Sequence, residues 1–274
     1  MVQTRYTLRG RTVALTRPRA QAEDAADAVR RMGGNPYIIP TIEVKPARNL
    51  APIKKLIMEL SRGEVDYTIF VSSNGVNQLF AATDRLGQRS ELLQGFSKTT
   101  VVAIGPSTAA ALRKQEVSVN LIPDEYSSEG IAKRLIKLSV NGKTIRIPRT
   151  SESSPTLKRM LRRAGASVKE VHVYQSGIPN DEASALNFIK DIDAEKIHAV
   201  VFGSALSASN LFRMLKTHAP VDRLRALLNS RVTVVAIGPV TEKALTKLGV
   251  KVDVKPERYL FEDALNALAA YWNA

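Results

Sequence analysis

The sequence predicts an α/β fold made of two small doubly wound domains with parallel sheets, joined by a two-strand linker. Three observations lead to this fold class. The chain has 274 residues, a length at which two domains are more usual than one. Its second half repeats its first half, and each repeated unit reads as a β-strand followed by an α-helix. Alternating β and α units form parallel sheets with helices packed on both faces.

The internal repeat is clearest between two segments in the middle and near the end of the chain. TVVAIGPSTAAAL at 100–112 returns as TVVAIGPVTEKAL at 233–245, with 10 of 13 positions identical. DYTIFVSSNGVNQLF at 66–80 corresponds to HAVVFGSALSASNLF at 198–212. A third pair begins at Thr12 and Thr144 and places Arg17 on Arg149. The chain is therefore a duplication of three βα units.

Each unit of the first copy begins with a short β-branched run and continues with apolar residues at helical spacing. Strands are expected at 13–15, 67–71 and 101–104. The first helix is expected from about Gln21 to Met32, and the next two start at about Asn74 and Ser107. Glycines at 33, 34, 165 and 249 stand where helices commonly end.

Two extended, proline-bounded segments follow the first unit of each copy. They are IIPTIEVKP at 38–46 and VHVYQSGIP at 171–179. We expect them to be linkers that run side by side between the domains. The cleft between the domains is then the expected ligand site.

The composition is that of a folded protein in a reducing compartment. Hydrophobic residues make up 44% and charged residues 24% of the chain, which excludes a disordered or collagen-like chain. The absence of cysteine excludes disulfides, thiolate metal ligands and a cysteine nucleophile. The sequence contains no apolar run long enough to predict an export signal or a membrane span. A cytoplasmic location is expected.

The chain is strongly basic, with 40 Lys and Arg against 26 Asp and Glu and a formal charge of +14. Such a charge indicates an anionic partner, which can be a nucleic acid or a small polyanionic substrate. Residues 42–175 carry 21 basic and 12 acidic residues, so they hold +9 and the remainder holds +5. The positive charge is therefore spread over both parts and is not confined to a tail.

Several segments resemble one enzyme family when taken in order. They are TRP in the first βα turn, IFVSSNGV, AIGPSTAAAL, EYSSEGIAKRL, VYQS and AIGPVTEKAL. Over about residues 12–268, the chain resembles uroporphyrinogen-III synthase. It departs from the usual family pattern at Val71 and Gly203, before the serines of two turns, and in the TSESS segment after Arg149.

The resemblance implies a fold, an activity and a set of partners. The implied domains are 1–41 plus 176–274, and 42–175. The implied activity is that of a cyclising hydro-lyase in porphyrin and heme biosynthesis, which closes the linear tetrapyrrole hydroxymethylbilane to uroporphyrinogen III with inversion of ring D and loss of water. We expect no cofactor, no metal, no nucleic acid and no membrane. A monomer that receives its substrate from hydroxymethylbilane synthase is expected.

A substrate with eight carboxylates needs many hydrogen-bond donors in a positive field. Polar residues at the expected strand-to-helix turns meet this need, because the free N–H groups of a helix start favour an anion. Taken singly, such residues are also ordinary helix caps. The candidates are Ser72, Ser73, Asn74, Ser107, Thr108, Ser204, Ser207 and Thr241.

Arg17 and Arg149 directly follow expected strands and are candidates to pair with substrate carboxylates. The alternative is that they are solvated strand ends. Tyr174 lies in the second linker, where the residues alone indicate a half-buried strand tyrosine. The resemblance implies that Tyr174 helps the substrate hydroxyl to leave, because a protonated phenol can donate a proton.

Two functions of other classes stay open at this point. One is a nucleic-acid-binding protein, although no sequence motif of such a protein occurs. The other is a binding module for tetrapyrroles or small acids that has the fold without catalysis. No GxGxxG, P-loop or HExxH motif occurs, so nucleotide and zinc chemistry are not indicated.

Overall fold

A computed structural model describes residues 7–274. Its contacts divide the chain into two compact units. Unit 1 takes the chain up to Glu43 and then Gly177–Ala274, and unit 2 is Val44–Ser176. Each unit is an α/β structure built around one sheet, as the sequence predicts.

The elements alternate along the chain. The first part holds β1 (Thr12–Leu15), α1 (Arg19–Arg31), β2 (Asn35–Ile38), β3 (Glu43–Pro46), α2 (Ala51–Ser61), β4 (Tyr67–Phe70), α3 (Ser73–Leu86), α4 (Arg89–Phe96), β5 (Thr100–Ala103), α5 (Pro106–Lys114) and α6 (Ser128–Lys137). The second part holds β6 (Thr144–Thr150), α7 (Thr156–Arg163), β7 (Ser167–Gly177), α8 (Glu182–Asp193), β8 (Ala199–Phe202), α9 (Ala205–Leu215), α10 (Val221–Ser230), β9 (Thr233–Ala236), α11 (Pro239–Lys247) and α12 (Phe261–Asn273).

The sheet of unit 1 has the order β2-β1-β8-β9, and all of its strand pairs are parallel. Alternate strand residues point into two separate apolar clusters. Ala14 and Val200 belong to one cluster, together with residues of α8, α9 and α10. Val13 and Val201 belong to the other, together with residues of α1 and α12. Both faces of the sheet are thus covered by helices, as in a doubly wound fold.

The sheet of unit 2 has the order β3-β7-β6-β4-β5. The pairs β4–β5, β4–β6 and β6–β7 are parallel. Residues of α2, α3, α4 and α5 cover one face, and residues of α6 and α7 cover the other. The edge strand β3 lies next to β7, and the two strands overlap the two segments that the sequence predicts to be linkers.

In both sheets, the amino end of one strand is hydrogen-bonded to the side chain that precedes another strand. In unit 1, the N–H of Thr12 at the start of β1 donates to His198 Nδ1 at 3.0 Å. In unit 2, the N–H of Thr144 at the start of β6 donates to Asp66 Oδ2 at 2.8 Å. Both acceptors stand just before a strand, and the repeat places Asp66 on His198. The duplication has therefore kept the bond and changed the acceptor.

Helix starts differ from the sequence predictions by one or two residues because caps and prolines set them. The first helix begins at Arg19, directly after Pro18. Helix α5 begins at Pro106 after Gly105, so Ser107 lies inside its first turn. Proline suits the first helical position because its missing N–H would have no helical partner there.

The residues that the structure describes include no helix that is both long enough and apolar enough to cross a membrane.

Candidate functional site

Tyr174 lies at the carboxyl end of β7 in unit 2, where polar groups of neighbouring strands meet. Its side chain is only 5% exposed, and its hydroxyl is 3.3 Å from Ser72 Oγ. Burial raises the pKa of the phenol, while hydrogen bonds with Ser72 and Ser176 and the charge of Arg149 partly oppose that shift. Tyr174 therefore holds its proton at neutral pH and can donate it.

Ser72 connects the tyrosine to the start of α3. It is the N-cap of this helix, and its Oγ accepts a hydrogen bond from the N–H of Gly75 at 3.1 Å. A Cβ at Gly75 would lie 2.9 Å from the carbonyl oxygen of Pro148, so only glycine lets the helix approach β6 this closely. Ser73 and Asn74 are half-buried residues of the first helical turn.

The guanidinium of Arg149 forms a buried ion pair. It is 5% exposed, and its Nη1 is 3.0 Å from Glu170 Oε1, whose other oxygen lies 3.3 Å from Lys158 Nζ. Burial lowers the pKa of the guanidinium, and the charge of Glu170 opposes this shift. Arg149 Nε is buried and has no hydrogen-bond partner within the described chain. The charge of Arg149 is thus balanced by the protein itself.

The loop after β6 contains a carboxylate that sequence analysis did not identify as part of a site. Glu152 Oε2 accepts hydrogen bonds from Thr150 Oγ1 at 2.5 Å and from the N–H of Ser176 at 2.8 Å. Its Oε1 accepts a hydrogen bond from the hydroxyl of Ser151. Burial tends to raise the pKa of this carboxyl, but these hydrogen bonds outweigh it and lower the pKa to about 2. The polar TSESS segment was the available signal in the sequence.

The starts of α5 and α11 are built alike in the two units. Each helix begins at the proline of a Gly-Pro pair, and its third residue is a buried threonine. Thr108 is 3% exposed and Thr241 is 4% exposed, whereas Ser107 is exposed. A Cβ at the preceding glycine would lie 3.2 Å from the ring of Tyr126 in unit 2 and 3.5 Å from that of Tyr259 in unit 1.

Arg17 follows β1 in unit 1 and differs from its repeat counterpart. Its Cζ lies 4.6 Å from the centre of the Phe261 ring. Burial lowers the pKa of the guanidinium, and the charge of Asp24 opposes the shift. Among residues 7–274, no carboxylate forms an ion pair with Arg17. Its guanidinium therefore remains available to an anionic group of a ligand.

Ser204 and Ser207 form a capping box at the start of α9. Ser204 Oγ accepts from the N–H of Ser207 at 3.1 Å, and Ser207 Oγ accepts from the N–H of Ser204 at 3.2 Å. Ser207 is also 2% exposed. The two hydroxyls are thus engaged in capping, which is the ordinary role of serine at a helix start.

A series of hydrogen bonds between buried polar groups fixes the segment after β1 that contains Arg17. Thr16 Oγ1 donates to the carbonyl of Val201 at 2.8 Å, and Thr41 Oγ1 donates to the carbonyl of Thr16 at 3.0 Å. Asn210 Nδ2 donates to the carbonyl of Thr41 at 2.9 Å. Sequence analysis did not identify these residues, because their role depends on contacts between distant segments.

Unit 2 therefore brings together Tyr174 and Ser72, with Arg149 and Glu152 close enough to act on the phenol electrostatically. Unit 1 presents Arg17, the capped start of α9 and the start of α11. All of these residues lie at or just after the carboxyl ends of strands, where ligands of open α/β sheets bind. Within residues 7–274, no group of three or more metal-ligating side chains could hold a metal ion.

Comparison with known proteins supports the resemblance given by the motifs. The family model for uroporphyrinogen-III synthase HemD matches residues 23–266. A protein of Methanothermobacter thermautotrophicus is 32% identical over 94% of this chain and 97% of its own length. A relative named uroporphyrinogen-III synthase, from Chlorobaculum parvum, is 27% identical over 91% of this chain and 94% of its own.

Solved structures share the fold. A crystal structure of a mutant uroporphyrinogen III synthase from Thermus thermophilus is similar with a TM-score of 0.67 and 22% identity, covering 96% of this chain and 99% of that one. A Helicobacter pylori uroporphyrinogen-III synthetase gives a TM-score of 0.56 and 14% identity, covering 95% and 99%. The match of the family model over most of the chain, together with the relative from Methanothermobacter thermautotrophicus, identifies this chain as a member of the uroporphyrinogen-III synthase family.

Proposed function

We propose that this protein is a uroporphyrinogen-III synthase, a cyclising hydro-lyase that converts hydroxymethylbilane to uroporphyrinogen III with inversion of ring D and release of water. The observation that carries the proposal is the buried, protonated phenol of Tyr174 at the ligand edge of a sheet. Membership of the uroporphyrinogen-III synthase family indicates the class of substrate on which this phenol acts.

Tyr174 acts as the proton donor for the hydroxyl that leaves. The phenol transfers its proton to this hydroxyl, the carbon–oxygen bond breaks, and water departs. The resulting azafulvene cation is attacked by the substituted carbon of ring D, which gives a spiro intermediate. Fragmentation and reclosure then invert the ring, and the proton lost from the ring carbon at closure balances the one supplied by Tyr174.

The carboxylates of the substrate are held by fixed donors and by a positive field. Arg17 supplies a guanidinium without a carboxylate partner in unit 1. The first turns of α3 and α5 offer backbone N–H groups and the side chains of Ser73, Asn74 and Ser107. Arg149 contributes through its charge near Tyr174, because its own guanidinium is paired with Glu170. Holding the two ends of the bilane together is itself catalysis by positioning.

The remaining parts of the proposal concern organisation. The assignment of 1–41 plus 176–274 and 42–175 as two domains is supported by the division of contacts at Glu43/Val44 and Ser176/Gly177. We further propose a cytoplasmic monomer in porphyrin and heme biosynthesis that works without a cofactor. It would take hydroxymethylbilane directly from hydroxymethylbilane synthase, because a reactive bilane is best transferred without delay.

The test is incubation with freshly prepared hydroxymethylbilane, oxidation of the products, and chromatographic separation of the isomers. The proposal predicts isomer III in excess over a buffer blank, in which closure proceeds without inversion. Binding of the bilane with no isomer III formed would instead identify a non-catalytic module of this fold. Tight, salt-sensitive binding of DNA with no cyclisation would identify a nucleic-acid-binding protein.

A further inference from the structure

The loop 150–153 in unit 2 folds one of its own carboxylates into a set of hydrogen-bond donors. Thr150 Oγ1, Ser151 Oγ and the N–H of Ser176 all donate to the carboxylate of Glu152. The Glu152 side chain is nevertheless exposed. No basic side chain forms an ion pair with it among residues 7–274. These donors therefore recognise a carboxylate by hydrogen bonds alone.

The donors stand at the ligand edge of the sheet. Thr150 ends β6, and Ser176 stands next to the last residue of the neighbouring parallel strand β7. Ser176 also hydrogen-bonds Tyr174, and the charge of Glu152 acts on the phenol of Tyr174. The loop is tied to the same place by a backbone bond of 3.3 Å from Ser151 N to the carbonyl of Tyr174. The carboxylate of Glu152 thus lies where a substrate that reaches Tyr174 would bring its own carboxylates.

We propose that Thr150, Ser151 and Ser176 form a carboxylate-binding subsite, and that Glu152 fills it until a carboxylate of the polycarboxylate ligand displaces it. The inference rests on the proposed function, which supplies the ligand class. The exchange replaces one carboxylate by another, so no donor loses its partner and the local charge is unchanged. Once displaced, the side chain of Glu152 rotates out into the solvent, which its exposed position permits.

A different role for Glu152 would have the opposite consequence. If its carboxylate served only to hold the loop in shape, removing it would loosen the loop and weaken binding of any ligand there. If it is a displaceable occupant, removing it frees three donors and abolishes a competing negative charge. The direction of the change in affinity therefore separates the two roles.

The experiment measures binding of uroporphyrin III, a stable octacarboxylate tetrapyrrole, by fluorescence titration. Glu152→Gln and Glu152→Ala should each bind it about threefold to tenfold more tightly than the unmodified chain, the scale of one net hydrogen bond. Glu116→Gln is the matched control, because it removes the same charge from an exposed residue beyond the far end of α5. Affinity that is unchanged or weaker in both Glu152 variants, or raised equally by Glu116→Gln, would overturn the proposal.

A second comparison tests whether the freed donors bind the ligand. Ser151→Ala should change affinity little in the unmodified chain, where its hydroxyl is bonded to Glu152. In the Glu152→Ala background it should weaken binding about threefold or more, because position 152 then has no acceptor and the hydroxyl bonds the ligand. An equal effect in both backgrounds, or no binding of uroporphyrin III by any variant, would contradict the subsite.

The proposed function is measured separately, as isomer III formed from hydroxymethylbilane by the unmodified chain. A chain that forms isomer III but gains no affinity in the Glu152 variants keeps its function and loses the subsite. A chain that forms none but binds uroporphyrin III as described keeps the subsite and loses the proposed activity.

Discussion

Arg17 in unit 1 and Arg149 in unit 2 occupy equivalent positions in the repeat but have different partners. Arg149 is paired with Glu170 on the neighbouring strand, and the corresponding residue of unit 1 is Ile38. Arg17 instead lies over the ring of Phe261, where the corresponding residue of unit 2 is Ser128. The guanidinium of Arg149 is therefore bound within unit 2 beside Tyr174, whereas we predict that the guanidinium of Arg17 binds an anionic group of the substrate.

The largest expected effect is on the chemical step in unit 2. Tyr174→Phe should lower kcat by about 10²- to 10⁴-fold, the usual contribution of a general acid, while KM changes less than about threefold. Steady-state kinetics of cyclisation measures both. Tyr67→Phe, at the amino end of β4 in the same unit, is the control and should leave kcat unchanged. Equal loss in both variants would assign Tyr174 a structural role.

The next effect concerns the stability of unit 2. Arg149→Met should lower the free energy of unfolding by about 3 kcal/mol, because Glu170 is left buried with only Lys158 as partner. Arg17→Met orphans no carboxylate and should cost only about 1 to 2 kcal/mol, the scale of a partly desolvated cation–π contact. Urea unfolding of both variants measures the difference.

The double variant Arg149→Met with Glu170→Leu sharpens this comparison. It removes both charges and should recover part of the lost stability, because no unpaired buried carboxylate remains. If Arg17→Met proved as destabilising as Arg149→Met, the contrast between the two arginines would fail.

Substrate binding should show the reverse order for the two arginines. Arg17→Met should raise KM by about tenfold, the loss expected for one charge-assisted hydrogen bond, with little change in kcat. Arg17→Lys keeps the charge and should recover part of the affinity. An unchanged KM in Arg17→Met would exclude Arg17 from binding the substrate.

The buried threonines at the starts of α5 and α11 should give smaller effects. Thr108→Ala and Thr241→Ala should each cost roughly 0.5 to 2 kcal/mol, divided between stability and substrate binding. Thermal unfolding beside the kinetics separates the two contributions. Ser substitutions keep the hydroxyl and should restore binding, and a loss that Ser does not restore would point to packing of the methyl group.

The smallest expected effect is a difference in pH response between the two units. Burial and the charge of Arg11 lower the pKa of His198, whose neutral ring accepts the N–H of Thr12. The unfolded histidine binds a proton more readily, so this contribution is present above about pH 6.5 and is lost as the pH falls below it.

Asp66 responds at a lower pH. Its backbone hydrogen bond with Thr144 lowers its pKa despite burial, and Lys143 adds to that shift. Its contribution is therefore present above the unfolded pKa of about 3.9 and is lost only as the pH falls further. As the pH is lowered from 6.5 to 4.5, hydrogen exchange should thus show that protection of the Thr12 amide weakens and that protection of the Thr144 amide stays unchanged. Parallel loss at both amides would contradict this assignment.

Much of the fold could be predicted from the repeat, because strand and helix patterns are local. The strands and the helix starts near Ser72 and Gly105 follow from β-branched runs, caps and prolines. Helices α2, α4, α8 and α10 were not predicted, because the units were defined by the strand and the helix directly after it. The discontinuous domains came from the family resemblance, since a repeat alone does not say which copies associate.

The contacts of the site depend on sheet register, and this explains what the sequence did not reveal. Arg149 meets Glu170 only because β6 pairs with β7 in one register, across 21 positions of sequence. Glu152 meets Ser176 across 24 positions in the same way. The predictions that Tyr174 gives up a proton and that Arg17 binds a carboxylate rest on the chemistry of the residue types and remain predictions.

We propose that the chain makes uroporphyrinogen III and that Tyr174 supplies the proton for the first step. The most direct measurement is the isomer composition formed from hydroxymethylbilane by the unmodified chain and by Tyr174→Phe, side by side with a buffer blank. We predict isomer III from the unmodified chain, and predominantly the unrearranged isomer from Tyr174→Phe, because spontaneous closure then outpaces the enzyme. Isomer composition identical to the blank for the unmodified chain, or isomer III formed equally well by Tyr174→Phe, would contradict this account.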